Sequence, residues 1–283
     1  MRYQGSKLLE ANALADVLQA FVELTNAPRY EELFCGSAAV SREMFRRGVR
    51  VDAIGDARPA LIACYRALRD SLWAPPETLS VEEYKAIREA HPSDTTLSPD
   101  AAFALIFCSH GGSWGGGYIH EDTRWSGELS GGASRFAAAK ARRDLLEMLP
   151  FLRRCGAIWC GDYRDRDDDR PPGSVIFADP PYKGTKPYKG RGPFDHPAFW
   201  QWAARTSRRH FLVVTEDTVP DDWRVAAQVR VASPGMREAG RLERGWVMVD
   251  GLADQLMRAH PTRAAFNLGE RQPALFDRSL FGQ

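Results

Sequence analysis

The tetrapeptide Asp179-Pro180-Pro181-Tyr182 follows directly on the apolar run Val175-Ile176-Phe177-Ala178. That order sets a carboxylate, two carbonyls stiffened by proline rings and one aromatic face at the carboxyl end of a buried strand. Open α/β sheets bind their ligands at that edge. A planar ring bearing an amino group could stack on Tyr182 and direct its two N–H bonds at the Asp179 carboxylate and the Pro180 carbonyl. The chemistry that suits such a set is methylation of an exocyclic amine. A proline pair also ends strands simply because it lacks the N–H a ladder needs, so the remaining segments must discriminate.

Three of them carry groups of fitting type. Phe34-Cys35-Gly36-Ser37-Ala38 is a small-residue turn after an expected strand, where a nucleotide-like cofactor can approach the backbone. It holds one glycine and no G-x-G-x-x-G, which weakens a dinucleotide more than S-adenosylmethionine, a cofactor without pyrophosphate. Asp56, about 20 residues further on and at the next strand's tip, is spaced to accept from two ribose hydroxyls, although a helix N-cap uses the same side chain. Asp162-Tyr163 ends another strand, where the acid could accept from an adenine amine and the ring could cover the base. The charged run from Arg164 to Arg170 equally fits a solvated turn there.

The elements that would position these groups alternate as an α/β protein requires. Helical spacing runs from Ala11 to Leu24, Tyr30 to Phe34 reads as a strand, Ser41 to Arg47 as a helix and Val49 to Ile54 as the next strand, closing with Gly55-Asp56. From about Leu61 to Leu152 the pattern is mostly helical, broken by Gly111-Gly112-Ser113-Trp114-Gly115-Gly116-Gly117-Tyr118. Strand signals resume at Gly156 to Cys160, Val175 to Ala178 and Phe211 to Thr215, with a helix from Phe199 to Thr206. Arg224 to Val231 and Glu243 to Val249 read as a closing antiparallel pair. The expected organisation is a first core segment over 1–66, an insertion over 67–152, a second core segment over 153–256 and a loosely attached tail over 257–283.

Composition narrows the classes. With 44% hydrophobic residues among 283, the chain can bury a full core. Its net charge of +1, from 38 basic and 37 acidic residues, supplies no global field toward a polyanion, so contact with nucleic acid must be local. The amino-terminal residues have no apolar signal core, and no run of about 18 apolar residues occurs, so a cytoplasmic protein is expected. Five cysteines form no C-x-x-C pair, and the histidines lack metal-ligand spacing, so reduced buried thiols and no metal are expected. Hydrolase elbows and Walker-type phosphate loops are missing.

Taken together, these segments resemble the Dam-like adenine-specific DNA methyltransferases, in particular their phage and prophage forms. Arg2-Tyr3-Gln4-Gly5-Ser6-Lys7 is similar to the family's amino-terminal aromatic-x-Gly-Gly-Lys element, Phe34 to Ala38 to its Phe-x-Gly-x-Gly turn, and Gly161-Asp162-Tyr163 to its Gly-Asp-Phe element. Asp56 falls on its ribose-binding acid, and Asp179 to Tyr182 matches its catalytic tetrapeptide unchanged. His110 to Tyr118 and Phe194 to Trp200 resemble segments of the phage-like branch. The chain departs from the pattern at Ser6, at Ala38 and at Asp217, which stand where glycine, glycine and tyrosine are common.

The resemblance implies a Rossmann-like, S-adenosylmethionine-dependent methyltransferase core with an inserted, mostly helical target-recognition region. It implies a cofactor site of Tyr3, Lys7, Phe34, Gly36, Asp56, Asp162, Tyr163 and Asp179, catalysis by Asp179, Pro180, Pro181 and Tyr182, and a target adenine flipped out of double-stranded DNA. Cytosine amine methylation demands nearly the same tetrapeptide, and a catalytically silent DNA-binding relative would retain the fold. For DNA contact the candidates are Ser113, Trp114, Tyr118 and Arg124 in the insertion and Lys183, Lys186 and Lys189 after the catalytic turn, with Trp114 and Tyr118 as wedges. An ordinary solvated loop would carry the same lysines. Gln272-Pro273-Ala274-Leu275-Phe276 resembles a peptide that docks on the replication sliding clamp, and a tail folded back on the body would use the same apolar residues.

Overall fold

The computed structural model describes residues 7, 10–70, 72–118, 137–166, 170–185, 192–216, 223–231 and 243–260. Strands β1 (Tyr30–Leu33), β2 (Ala53–Asp56), β3 (Ala157–Cys160), β4 (Val175–Ala178), β5 (Phe211–Glu216), β6 (Arg224–Val231) and β7 (Glu243–Val249) order as β3-β2-β1-β4-β5-β7-β6. The pairs β2–β3 and β4–β5 are parallel, and β7 runs antiparallel to both β5 and β6. The first five positions follow the order of nucleotide-binding α/β sheets, and the antiparallel strand set between β5 and β6 departs from it. This is the Rossmann-like α/β arrangement expected from the sequence.

Two compact units share the chain, one of Met1–Lys7, Glu32–Asp167 and Lys186–Phe194, the other of Leu8–Glu31, Asp168–Thr185 and Asp195–Gln283. In the first unit, helix α2 (Ala39–Arg46) follows β1, and α3 (Pro59–Arg69) follows β2. Proline opens α3 because its missing N–H is no loss in a first turn. The described residues of the insertion expected over 67–152 lie within this unit. The insertion contains α4 (Val81–Ala90), α5 (Pro99–Ala102), α6 (Ala137–Leu146) and the start of α7 (Leu149–Arg154).

Helix α4 starts with a reciprocal capping box between Ser80 and Glu83, which satisfies two amides that the helix cannot. Helix α5 widens into one π-helical turn, Phe103–Phe107, with the Cys108 N–H bonded to the Phe103 carbonyl five residues back at 3.0 Å. All five residues of that turn are buried, and α4 and α6 pack on it.

In the second unit, α1 (Ala11–Thr25) buries Leu14, Val17, Leu18 and Phe21 on one stripe and stops at Asn26 in the left-handed conformation. Strand β4 is buried at all four positions, as a parallel strand covered on both faces should be. Glu31 of β1 is buried too. It is paired with buried Arg170 at 2.7 Å, and that partner lets a charge sit inside.

Helix α8 (His196–Thr206) begins earlier than the expected Phe199, because the Asp195 side chain accepts the Ala198 N–H at 3.0 Å and Pro197 fits the first turn. Helix α9 (Gly251–Ala259) corrects the tail boundary. It runs past residue 257 and buries Ala253 and Met257 one turn apart. The four buried cysteines and the partly buried Cys160 join in no disulfide. Among the described residues no helix is long and apolar enough to cross a membrane.

Candidate active site

In the first unit the turn after β1 is wound tightly. Phe34, Gly36 and Ala38 all have positive φ, at 55°, 47° and 49°. A β-carbon in that region costs about 1–2 kcal/mol, and such strain concentrates where a backbone must present itself to a ligand. Alanine therefore does not merely fit the turn, as its size predicts. Ala38 occupies the position where glycine's freedom counts, and it also lacks a side chain that could cap α2. Glu32 supplies the missing acceptor, since its Oε2 takes the N–H of Ser41, the third residue of α2, at 2.8 Å.

Asp56 closes this turn from the tip of β2. Its Oδ2 accepts the Gly36 N–H at 3.0 Å, and its Oδ1 accepts the Arg58 N–H at 2.9 Å. The cap of α3 is Arg58, so Asp56 is not the helix N-cap that its sequence position also allowed. The Tyr65 hydroxyl donates to the Gly36 carbonyl at 2.6 Å, which secures the turn from α3.

Three rings gather beside the turn. Phe34 lies 5.4 Å from Tyr163 and 5.7 Å from Phe194, and Tyr163 lies 6.2 Å from Phe194. The sequence paired the first two by role, whereas Phe194, far along the chain, entered only through the resemblance of Phe194 to Trp200 to a phage-like segment, with nothing to set it beside the turn. Asp162 stands differently from the expectation. Its carboxylate holds the Arg164 guanidinium through both oxygens at 2.7 and 2.9 Å, and this hydrogen bonding lowers its pKa. Lys7 is half-buried, and Tyr3 lies outside the described residues.

In the second unit Asp179 leaves β4 partly exposed, and Pro180 behind it is buried. The Thr215 hydroxyl, on neighbouring β5, donates to Asp179 Oδ1 at 2.6 Å. After Tyr182 the chain reverses: the Tyr182 carbonyl accepts the Thr185 N–H at 3.1 Å, with Gly184 at φ 83°. Buried Glu216 anchors that reversal, its Oε1 accepting the Lys183 N–H at 3.1 Å while its Oε2 lies 3.7 Å from His196 Nδ1. Thr215 and Glu216 went unassigned in the sequence. The signal was there in the register, since Ala178 pairs with Val214 and the next residues are Asp179 and Thr215. The Lys183 side chain is exposed, and Lys186, Lys189, Asp217 and the Gln272 to Phe276 segment lie outside the described residues.

The glycine-rich loop corrects the wedge expectation. Trp114 is only 3% exposed, and its indole N–H donates to the His91 carbonyl at 3.1 Å. Tyr118 stacks on Tyr84 at 4.8 Å, and its hydroxyl donates to the Leu79 carbonyl. Backbone bonds from His110 to Gly117 and from Gly115 to Leu105 close the loop at 2.7 and 2.9 Å. Its aromatic residues thus anchor it inward, because burying their rings and satisfying their polar tips stabilises the loop. His110 is exposed and Ser113 partly so, whereas Arg124 lies outside the described residues. Among the described residues no cluster of three or more candidate ligands could hold a metal.

A glycine-bearing turn, a strand-tip acid and an Asp-Pro-Pro-Tyr turn on a seven-stranded α/β core are the features expected of a methyltransferase. Residues 3–103 match the family model of the D12 class N6 adenine-specific DNA methyltransferases. The match bears out the family resemblance read from the motifs, though not its phage-like branch, and gives the enzyme class, adenine-specific DNA methyltransferase. It spans the turn from Phe34 to Ala38 and Asp56 and ends before the tetrapeptide. Among solved structures, the rRNA methyltransferase aviRa from Streptomyces viridochromogenes is similar at 16% identity with a TM-score of 0.36, over 89% of this chain and 88% of that one. No curated protein matches the chain in sequence.

Proposed function

We propose that this chain transfers a methyl group from S-adenosyl-L-methionine to the 6-amino group of an adenine flipped out of double-stranded DNA, in the cytoplasm of a bacterial or phage-infected cell. The observation that carries the reading is the Asp179 carboxylate, held by Thr215 at 2.6 Å at the end of buried β4 and followed at once by Pro180 and Tyr182. A held carboxylate acts as an oriented acceptor, and orientation is most of what an in-line displacement needs from a protein.

The residues present fit the cofactor. Asp56 offers a carboxylate at a strand tip for ribose hydroxyls, the backbone at Gly36 has no side chain in the way, and Phe34, Tyr163 and Phe194 form an aromatic wall for a base. When bound, S-adenosylmethionine supplies a methyl group on a sulfonium, an electrophile that needs no acid catalyst. Asp179 accepts one hydrogen of the target amine and the Pro180 carbonyl accepts the other, so the nitrogen lone pair turns out of the ring plane. Tyr182 stacks on the ring, and Asp179 takes the proton that the new ammonium releases.

A flipped base costs a few kcal/mol of stacking and pairing. Lys183, Lys186 and Lys189 offset this through phosphate contacts, and Ser113 and Arg124 reach DNA from the insertion. The test is tritiated methyl transfer to unmethylated plasmid, wild type beside Asp179→Ala, with mass spectrometry of the digested nucleosides. N6-methyladenine that disappears in the variant is expected. Methylcytosine would move the substrate to the other exocyclic amine, and no transfer by wild type would reject the reading.

A further inference from the structure

Arg58 and Asp94 form an ion pair at 2.9 Å with side chains only 2% and 0% exposed, and neither has a part in the chemistry above. Such a pair is weak evidence for stability, because removing two charges from water offsets most of their attraction. Its surroundings give it another use. The backbone N–H of Arg58 is the donor to Asp56 Oδ1, and the other oxygen of Asp56 holds Gly36. Asp94 also accepts the Ala60 N–H through its carbonyl at 3.3 Å, so it grips the first turn of α3 by backbone and side chain together. Asp94 lies between α4 and α5, three residues after His91, whose carbonyl holds the indole of Trp114. One short segment of the insertion thus touches both the turn bearing Asp56 and the glycine-rich loop.

We infer that Arg58 and Asp94 are positioning residues, which set the cofactor-facing carboxylate of Asp56 from the insertion and make cofactor affinity depend on how the insertion is packed. The inference rests on the reading of Asp56 as the ribose acceptor. Breaking only one member would leave a buried unpaired charge and endanger folding, so the main variant is Arg58→Met with Asp94→Leu, its folding checked by thermal melting.

The readout is calorimetric binding of S-adenosylhomocysteine to the full chain without DNA. The folded double variant should bind about tenfold more weakly, within the usual range of coupling between sites, and in methyl transfer its KM for S-adenosylmethionine should rise while kcat holds. Wild-type affinity in the folded double variant overturns the inference. A second arm uses Arg58→Lys, which keeps the charge but not the fork geometry, and follows hydrogen exchange of the Gly36 amide. Faster exchange supports a loosened Asp56, and unchanged protection overturns the inference. If wild type itself fails to bind S-adenosylhomocysteine, the cofactor reading falls, and the Gly36 arm still decides whether the pair holds Asp56.

Discussion

Thr215 donates its hydroxyl hydrogen to Asp179 Oδ1 at 2.6 Å, between adjacent parallel strands whose register places the two side by side. Thr215 is 3% exposed, so the bond is shielded from competing water. A hydrogen bond to a charged group contributes about 1.5–3 kcal/mol. If this one serves orientation of the acceptor, Thr215→Val should lower kcat by about ten- to a hundredfold at that energy. Binding of S-adenosylhomocysteine should be unchanged and Thr215→Ser should restore turnover. Steady-state methyl transfer checks this, and a Val variant with wild-type kcat would make Thr215 a packing residue.

Ala38→Gly should stabilise the protein by about 1 kcal/mol, since it removes a β-carbon from a left-handed backbone position. For a chain of this size that is a rise of about 2–4 °C in melting temperature. Cofactor affinity should not fall, because glycine allows the same turn. A drop in melting temperature would mean that the β-carbon packs well enough to outweigh the strain.

Trp114 separates anchoring from wedging. Trp114→Phe keeps an apolar ring and loses the bond to His91, so a loss of about 1 kcal/mol of stability is expected, whereas Trp114→Ala should cost about 3–5 kcal/mol through the cavity it leaves. Affinity for DNA should be unchanged in the folded Phe variant. A loss of base stacking, seen as weaker binding to DNA carrying an abasic site opposite the target, would restore the wedge.

Glu43 sets a window of acid sensitivity. Hydrogen bonds from Arg46 first, and then Arg47, lower its pKa from 4.5 to about 2. A depressed folded-state pKa contributes stability that is present above the unfolded value and lost as pH falls through the folded one. The melting-temperature gap between wild type and Glu43→Gln should therefore be constant above about pH 5 and close between 4.5 and 2. A gap independent of pH would show that packing, not charge, is what the glutamate contributes.

Residue type and spacing alone mark the elements and the chemistry at their tips. Apolar periodicity reveals α1, β4 and β5 because a buried face imposes its repeat on the chain, and the tetrapeptide and the acid at residue 56 are legible because their neighbours in sequence are also their neighbours in space. Contacts between distant segments come from the folded chain and leave no local trace. Thr215 reaches Asp179 through strand register, Phe194 joins Phe34 and Tyr163 across the chain, and Arg58 meets Asp94 over a separation of 36 residues. Trp114 and Tyr118 show the same limit from the other side, since a glycine-rich sequence reads as an open loop until its packing partners, His91, Tyr84 and Leu79, are known. Ala38 reads as merely small, because the sign of φ belongs to the closed turn and not to the residue. Local order follows from side-chain type and spacing, whereas the hydrogen bonds that orient a carboxylate or bury a tryptophan depend on which surfaces folding brings face to face.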